Sequence, residues 1–169
     1  MGRIVDSFLA EMDQEAQTTR RVLDRVPEEK LDWQPHAKSM TLGKLALHVA
    51  TIPGNIAQAL VKDTFEVGSF DQATAVNSKA ELISALEESL KTAKQALGSF
   101  DDQKAMAIWK LTAGGKELMA LPRAVVIRSV LLNHWYHHRG QLTVYLRLLN
   151  VPVPSIYGPS ADENPFAGH

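Results

Sequence analysis

The sequence predicts an all-α fold: a four-helix bundle with one long crossover connection and a small β-hairpin before the last helix. Three observations lead there. Four long segments carry apolar residues at helical spacing. The stretches between them hold the chain breakers. A Gly114-Gly115 pair marks the one short region that reads as extended. With 169 residues, 45% of them hydrophobic and 22% charged, the chain has enough apolar surface for one core, so residues 1–169 are expected to form a single domain.

In the first segment Ile4, Phe8, Met12, Thr19, Val22 and Val26 recur at spacings of three, four and seven until Pro27 closes the pattern. That is an amphipathic helix of about six turns. The connector "PEEKLDWQPHAKSM" contains two prolines, and Leu31 and Trp33 are its anchors to the body. Thr41 is a suitable N-cap for a second helix, "LGKLALHVATIPGNIAQALVKD", with Leu45, His48, Ile52, Asn55 and Ala59 on one face. Pro53 removes a backbone donor inside it and predicts a kink one turn after His48.

An Asn77-Ser78 cap opens the third helix, whose stripe is Leu82, Ile83, Leu86, Leu90, Ala93 and Leu97, with Gly98 at its end. The segment "AMAIWKLTAGGKELMALP" places Ile108, Lys110 and Leu111 before the glycine pair, as in a small hairpin or an extended crossover. Pro122 suits the first turn of a fourth helix, striped by Val130, Leu131, Leu142, Tyr145, Leu146 and Leu149. No internal repeat, low-complexity tract or interdomain linker interrupts this order.

Several function classes are disfavoured. A net charge of -1 and a pI near 6.6 provide no basic field for nucleic acid. The start of the chain carries Asp6, Glu11 and Asp13 and no apolar run of signal-peptide type, and no stretch approaches the ~20 apolar residues that span a bilayer. A soluble, cytoplasmic protein without membrane association is expected. The absence of cysteine excludes disulfides, thiolate ligands and a cysteine nucleophile, so any sulfur chemistry must borrow a thiol from a small molecule.

Three of the six histidines fall within "NHWYHHRGQL". His134 and His138 are four apart, which sets them about 40° apart around the helix axis and about 6 Å along it. Two imidazoles so placed can chelate one divalent ion. Leu131, His134, His138, Leu142, Tyr145 and Leu149 form the expected inward seam. His137 lies about 100° from His138, so it is read as a supporting or interfacial residue. His48, on the apolar face of helix two, is the candidate third ligand. One buried histidine is ordinarily a hydrogen-bonded core residue, but three in one core cost several kcal/mol unless every polar atom is satisfied, and a single metal ion satisfies three nitrogens together. Three protein ligands also leave a fourth position open, the catalytic pattern. His36 and His169 are not needed.

Glu15, seven residues after Phe8, is a candidate to orient a ligand or act as a base, against the plainer reading of a margin residue reaching solvent. Asn55 is a candidate to bond a metal-bound water or to satisfy the carbonyl freed by Pro53. Gly140 suggests close helix approach, Arg139 is expected to face solvent or a partner subunit, and Trp109, Trp135 and Tyr136 read as packing or interface residues in preference to a cofactor box.

In "LDWQPHAKSMTLGKLALHVATIP", "WKLTAGGKELMALPR" and above all "NHWYHHRGQLTVYLRLLNVPVPSIYGPSADE", the chain resembles the DinB-like (damage-inducible, YfiT-type) metal-binding four-helix-bundle proteins over nearly its whole length. The resemblance implies a metal held by one histidine of the second helix and two of the last, which here are His48, His134 and His138. It further implies a divalent ion such as zinc, nickel or manganese, with zinc or nickel favoured, and a homodimer. Some relatives transfer low-molecular-weight thiols to electrophiles. The leading expectation is therefore a metal-dependent thiol S-transferase acting on a small-molecule substrate. The alternatives are a metal-dependent hydrolase and a non-enzymatic metal-binding stress-response module.

Overall fold

A computed structural model describes residues 2–68 and 76–167 of the chain; His169 lies outside them. Helix α1 (Ile4–Leu23) starts where the Asp6 carboxylate takes the Arg3 backbone N–H at 2.7 Å, and it buries Val5, Met12, Glu15, Thr19, Val22 and Leu23. The connector after it is pinned as expected. Leu31 and Trp33 pack against the core, and the Trp33 ring meets Tyr145 edge-on at 5.6 Å. Helix α2 (Leu42–Val61) is capped by Thr41, whose hydroxyl accepts from Lys44 N at 3.3 Å. It ends two residues short of the expected Asp63. Helix α3 (Lys79–Gly98) is capped by Ser78, which accepts from Glu81 N at 3.2 Å.

The crossover contains more structure than four helices require. A short helix α4 (Asp102–Met106) precedes strands β2 (Ile108–Ala113) and β3 (Lys116–Pro122), and β1 (Thr64–Glu66) lies just beyond α2. The three strands form one sheet in the order β1-β2-β3, with β1 parallel to β2 and β2 antiparallel to β3. The fold is thus mostly helical with a small sheet, and the expectation of an all-α four-helix bundle is corrected to that extent. The hairpin itself is legible in the sequence. Gly114 and Gly115 both have positive φ, 56° and 75°, which a tight hairpin turn demands of its two central residues. Strand β1 is not legible, because three residues carry no periodicity and their pairing with Lys110, Leu111 and Thr112 is long-range.

The last helix is built in three parts: α5 (Arg123–Val126), a π-helical stretch (Ile127–Leu132) and α6 (Asn133–Leu148). Pro122 is the cap residue before it. Arg123 is fully buried and donates to the carbonyls of Leu60 at 2.8 Å and Lys62 at 3.0 Å, and it also pairs with Asp63. One guanidinium thereby closes the end of α2 and fixes the junction of sheet and last helix.

Close helix approach occurs at Gly54 and not at Gly140. A Cβ on Gly54 would stand 2.9 Å from Ser89 Cα, and Gly54 N donates to Ser89 Oγ at 2.8 Å, so α2 and α3 touch backbone to backbone there. A Cβ on Gly140 would meet nothing within 4 Å.

Candidate metal centre

Pro53 determines how α2 meets α6. It has no N–H, so the Val49 carbonyl four residues earlier has no helical donor, and leaving it buried and unpaired would cost about 1–3 kcal/mol. The indole Nε1 of the fully buried Trp135 donates to that carbonyl at 2.9 Å. Asn55, the sequence candidate for the freed carbonyl, does not supply the donor. The bond joins positions 86 apart, and so does the neighbouring approach of His48 to His134. A proline in one helix and a tryptophan in the other therefore lock the register that brings the two histidines face to face.

Across that lock, His48 Nε2 and His134 Nε2 stand 3.1 Å apart. His138 joins them, with ring centroids 4.6 Å from His48 and 4.5 Å from His134. The three candidate ligand nitrogens all lie within 4.8 Å of one another, so the group could hold a metal ion. Tetrahedral coordination at about 2.0–2.1 Å sets nitrogens about 3.3–3.4 Å apart, close to the His48–His134 spacing. Two imidazole nitrogens facing each other share at most one proton, and an ion between them satisfies both lone pairs. The donor set fits.

Electrostatics favour the same state. Burial, then the neighbouring His138 and His134, push the His48 imidazole down to about 4 from its ordinary 6.5. His134 is lowered by burial and by His138 and His137, and His138 is lowered mainly by burial. All three are therefore neutral near pH 7, the form in which imidazole binds metals.

A residue that sequence reasoning passed over completes the arrangement. Gln141 Oε1 lies 2.7 Å from His138 Nδ1. A proton on Nδ1, donated to that amide, leaves the His138 Nε2 lone pair free for the cluster. The available signal was the spacing of three on one helix.

The expected seam of α6 is shifted. Leu131, Leu132, Trp135, Arg139, Leu142 and Leu146 are the buried residues, while His134, His138, Tyr145 and Leu149 are half-buried. The π-helical stretch carries extra residues per turn and rotates α6 relative to a regular helix. The histidines consequently sit at the edge of the core, where His48 and His134 form part of the wall of a cavity of about 700 Å³. Its other walls come from α2, the sheet and the last helix, including Ile56, Phe65, Trp109, Met119, Val126 and Val130.

The remaining candidates separate cleanly. Asn55 is exposed but lines this cavity. His137 is exposed, with its ring 5.0 Å from that of His138, outside the trio. His36 is exposed in the connector and accepts from Lys38 N at 3.1 Å. Glu15 neither reaches solvent nor lines the cavity: it is 7% exposed, and its carboxylate is 2.6 Å from Arg139 Nη1 and accepts from the Tyr157 hydroxyl at 3.1 Å. Arg139, expected outside, is 2% exposed. A charged side chain on a helix face reads as solvated, and only the pairing with α1 explains its burial.

Comparison with known proteins agrees with this architecture. The family model described as "DinB family" matches residues 1–165. The chain belongs to the DinB family. Among curated proteins it is similar to the uncharacterized protein YrdA of Bacillus subtilis, with 29% identity over 170 residues, covering 96% of this chain and 93% of YrdA. Among solved structures, a DinB-like protein of Bacillus cereus superposes with a TM-score of 0.71 at 25% identity, covering 90% of this chain and 97% of that one. A DinB-like protein of Bacillus subtilis has a TM-score of 0.66 at 16% identity over 89% of this chain and 96% of its own, a likeness of fold alone. Among the described residues of this DinB-family chain, no helix is long and apolar enough to cross a membrane.

Proposed function

We propose that this chain binds one divalent metal ion, zinc or nickel, through His48, His134 and His138, and is a transferase that joins a low-molecular-weight thiol to a small electrophile. The observation that carries the reading is the cavity of about 700 Å³ whose wall includes His48 and His134. A purely structural metal site has no use for such a space, whereas a reaction needs it for substrate.

A divalent ion held there supplies Lewis acidity that lowers the pKa of a thiol. The chain's own residues do the rest. Burial keeps the three imidazoles neutral, so their lone pairs are available without competition from protons near pH 7. Gln141 orients His138. Trp135 and Pro53 hold the two helices in register, and the apolar wall formed by Phe65, Trp109 and Met119 excludes water from the electrophile. The chain has no cysteine, consistent with a borrowed thiol. Hydrolysis would want a general base, and its only carboxylate candidate on the helices, Glu15, is committed to Arg139 and Tyr157.

Elemental analysis of the purified protein tests the site. We expect about one zinc or nickel per chain, lost in His48→Ala and in His134→Ala; stoichiometric metal in either variant would sink the assignment. Incubation of the metal-loaded protein with small thiols and monochlorobimane tests the reaction. Acceleration that the histidine variants abolish is expected, and its absence with every common thiol would replace the transferase by a metal-binding module.

A further inference from the structure

The cavity beside the histidines has a polar rail and an apolar wall. Lys44, His48, Thr51 and Asn55, spaced four, three and four along α2, share one helix face and all line it. Phe65 and Trp109 line it as well, and the Trp109 ring is fixed by its Nε1 donating to Ala59 O at 3.1 Å. No acidic residue lines the cavity among the described residues. Apart from any ion on the histidines, Lys44 is the only ionised side chain among the described residues that line it.

Among the described residues Lys44, like Lys30, Lys38, Lys62, Lys79 and Lys116, has no ion pair or side-chain hydrogen bond; what sets it apart is its place on the cavity wall. The nearby end of α2 is not available for an anion in its place. Leu42 N donates to Trp33 O at 2.8 Å, Gly43 N to Leu31 O at 2.9 Å, and Lys44 N to Thr41 Oγ1 at 3.3 Å. Lys44 precedes His48 by one turn, about 6 Å along the axis, which is the span of a small molecule.

We infer that the cavity selects an organic anion: a molecule whose aromatic or other apolar body packs against Phe65 and Trp109 and whose carboxylate, sulfonate or phosphate is held by Lys44. The inference rests on the reading of this cavity as the substrate site, but not on the metal. It assigns Lys44 the role of a specificity residue for the substrate that the proposed transferase would use.

Two fluorescent probes with nearly the same aromatic body separate charge from apolar packing: 8-anilinonaphthalene-1-sulfonate, an anion, and N-phenyl-1-naphthylamine, which lacks the sulfonate. Each is titrated into the full chain as purified and again after chelation, for the wild type, Lys44→Met and Lys91→Met. Lys91 lies on α3, none of whose residues lines the cavity. Lys44→Met is expected to weaken the sulfonate about three- to fivefold, as loss of one part-exposed ion pair does, and to leave the neutral probe unchanged. Lys91→Met should alter neither. Sulfonate affinity within twofold of wild type in Lys44→Met, or an equal loss for both probes, would overturn the inference. Chelation should leave the difference between wild type and Lys44→Met in place, whatever a nearby divalent charge adds to sulfonate affinity; if it abolishes sulfonate binding, the anion sits on the ion, which supports the metal site and removes Lys44 from the role. Should elemental analysis find no metal while Lys44→Met still discriminates the probes, the metal reading falls and this one stands.

Discussion

Neighbouring residues of α6 lead to two polar clusters of opposite character. Arg139 turns to α1: its guanidinium meets the Glu15 carboxylate at 2.6 Å, Thr19 Oγ1 at 3.1 Å and the Glu15 carbonyl at 3.3 Å, reaches the Tyr157 hydroxyl at 2.5 Å, and lies 5.2 Å from the Tyr136 ring centre. His138 turns to α2, where like nitrogens of His48 and His134 confront each other, and among the described residues no carboxylate joins the three. The first cluster satisfies its hydrogen-bonding capacity inside the chain. The second sets three imidazoles together beside a cavity, with one hydrogen bond between His48 Nε2 and His134 Nε2 where the first has a charged partner. Burial of polar groups alone does not mark a candidate metal site; a cluster of like ligand atoms without a countercharge does.

The largest effect is expected at the Arg139 cluster. Arg139→Met leaves the Glu15 carboxylate buried without its countercharge, and loss of one partner of such a pair costs about 3–5 kcal/mol. Urea denaturation should record that loss, while metal bound per folded chain stays at the wild-type level. Adding Glu15→Leu should recover much of the stability, because the stranded charge is gone. A loss below about 1 kcal/mol would mean that Arg139 is not what compensates the Glu15 carboxylate, and loss of metal from folded Arg139→Met protein would mean that the two clusters are not independent.

On the functional side the corresponding change is Gln141→Ala. It removes the acceptor facing His138 Nδ1 and no buried contact, since Gln141 is exposed. Outer-shell partners of metal-binding histidines typically contribute ten- to a hundredfold in affinity. Competition with a chelator should show a loss in that range with the denaturation midpoint of the metal-free protein unchanged, and Gln141→Glu should restore affinity. Wild-type affinity in Gln141→Ala would remove the amide from the site.

The two sides were unequally legible in the sequence. The histidine trio was legible in part: a spacing of four on α6 gives the His134 and His138 pair and the stripe of α2 offers His48, but the packing that brings His48 to His134 joins positions 86 apart. The Arg139–Glu15 pair joins residues 124 apart through a helix packing that no local pattern encodes. The helices and their Thr41 and Ser78 caps could be read because a cap is a short-range event. Strand β1, the π-helical stretch and the Trp135–Val49 bond could not, since each depends on what lies across the interface. Pro53 stands between these cases. The freed carbonyl was foreseeable from its position, but its donor came from the helix opposite and not from Asn55.

The two clusters also differ in their response to pH. In the metal-free protein, burial and the adjacent histidines hold His48 down to about 4, against 6.5 for an exposed imidazole. Below 6.5 the unfolded chain therefore takes up a proton that the folded chain refuses. Unfolding then binds protons, and stability must fall as pH drops from about 6.5 to about 4, with no contribution from this group above that window. His134 and His138 are lowered in the same direction and steepen the decline. Carboxylates titrate in the lower part of the window as well, so the informative quantity is a difference. The urea midpoints of chelated wild type and His48→Gln, measured from pH 8 to pH 4, should run parallel above about 7 and then converge or cross as the wild type loses stability faster. Parallel curves throughout would mean that His48 accepts its proton in the folded state, and that the cluster keeps no imidazole neutral for a metal.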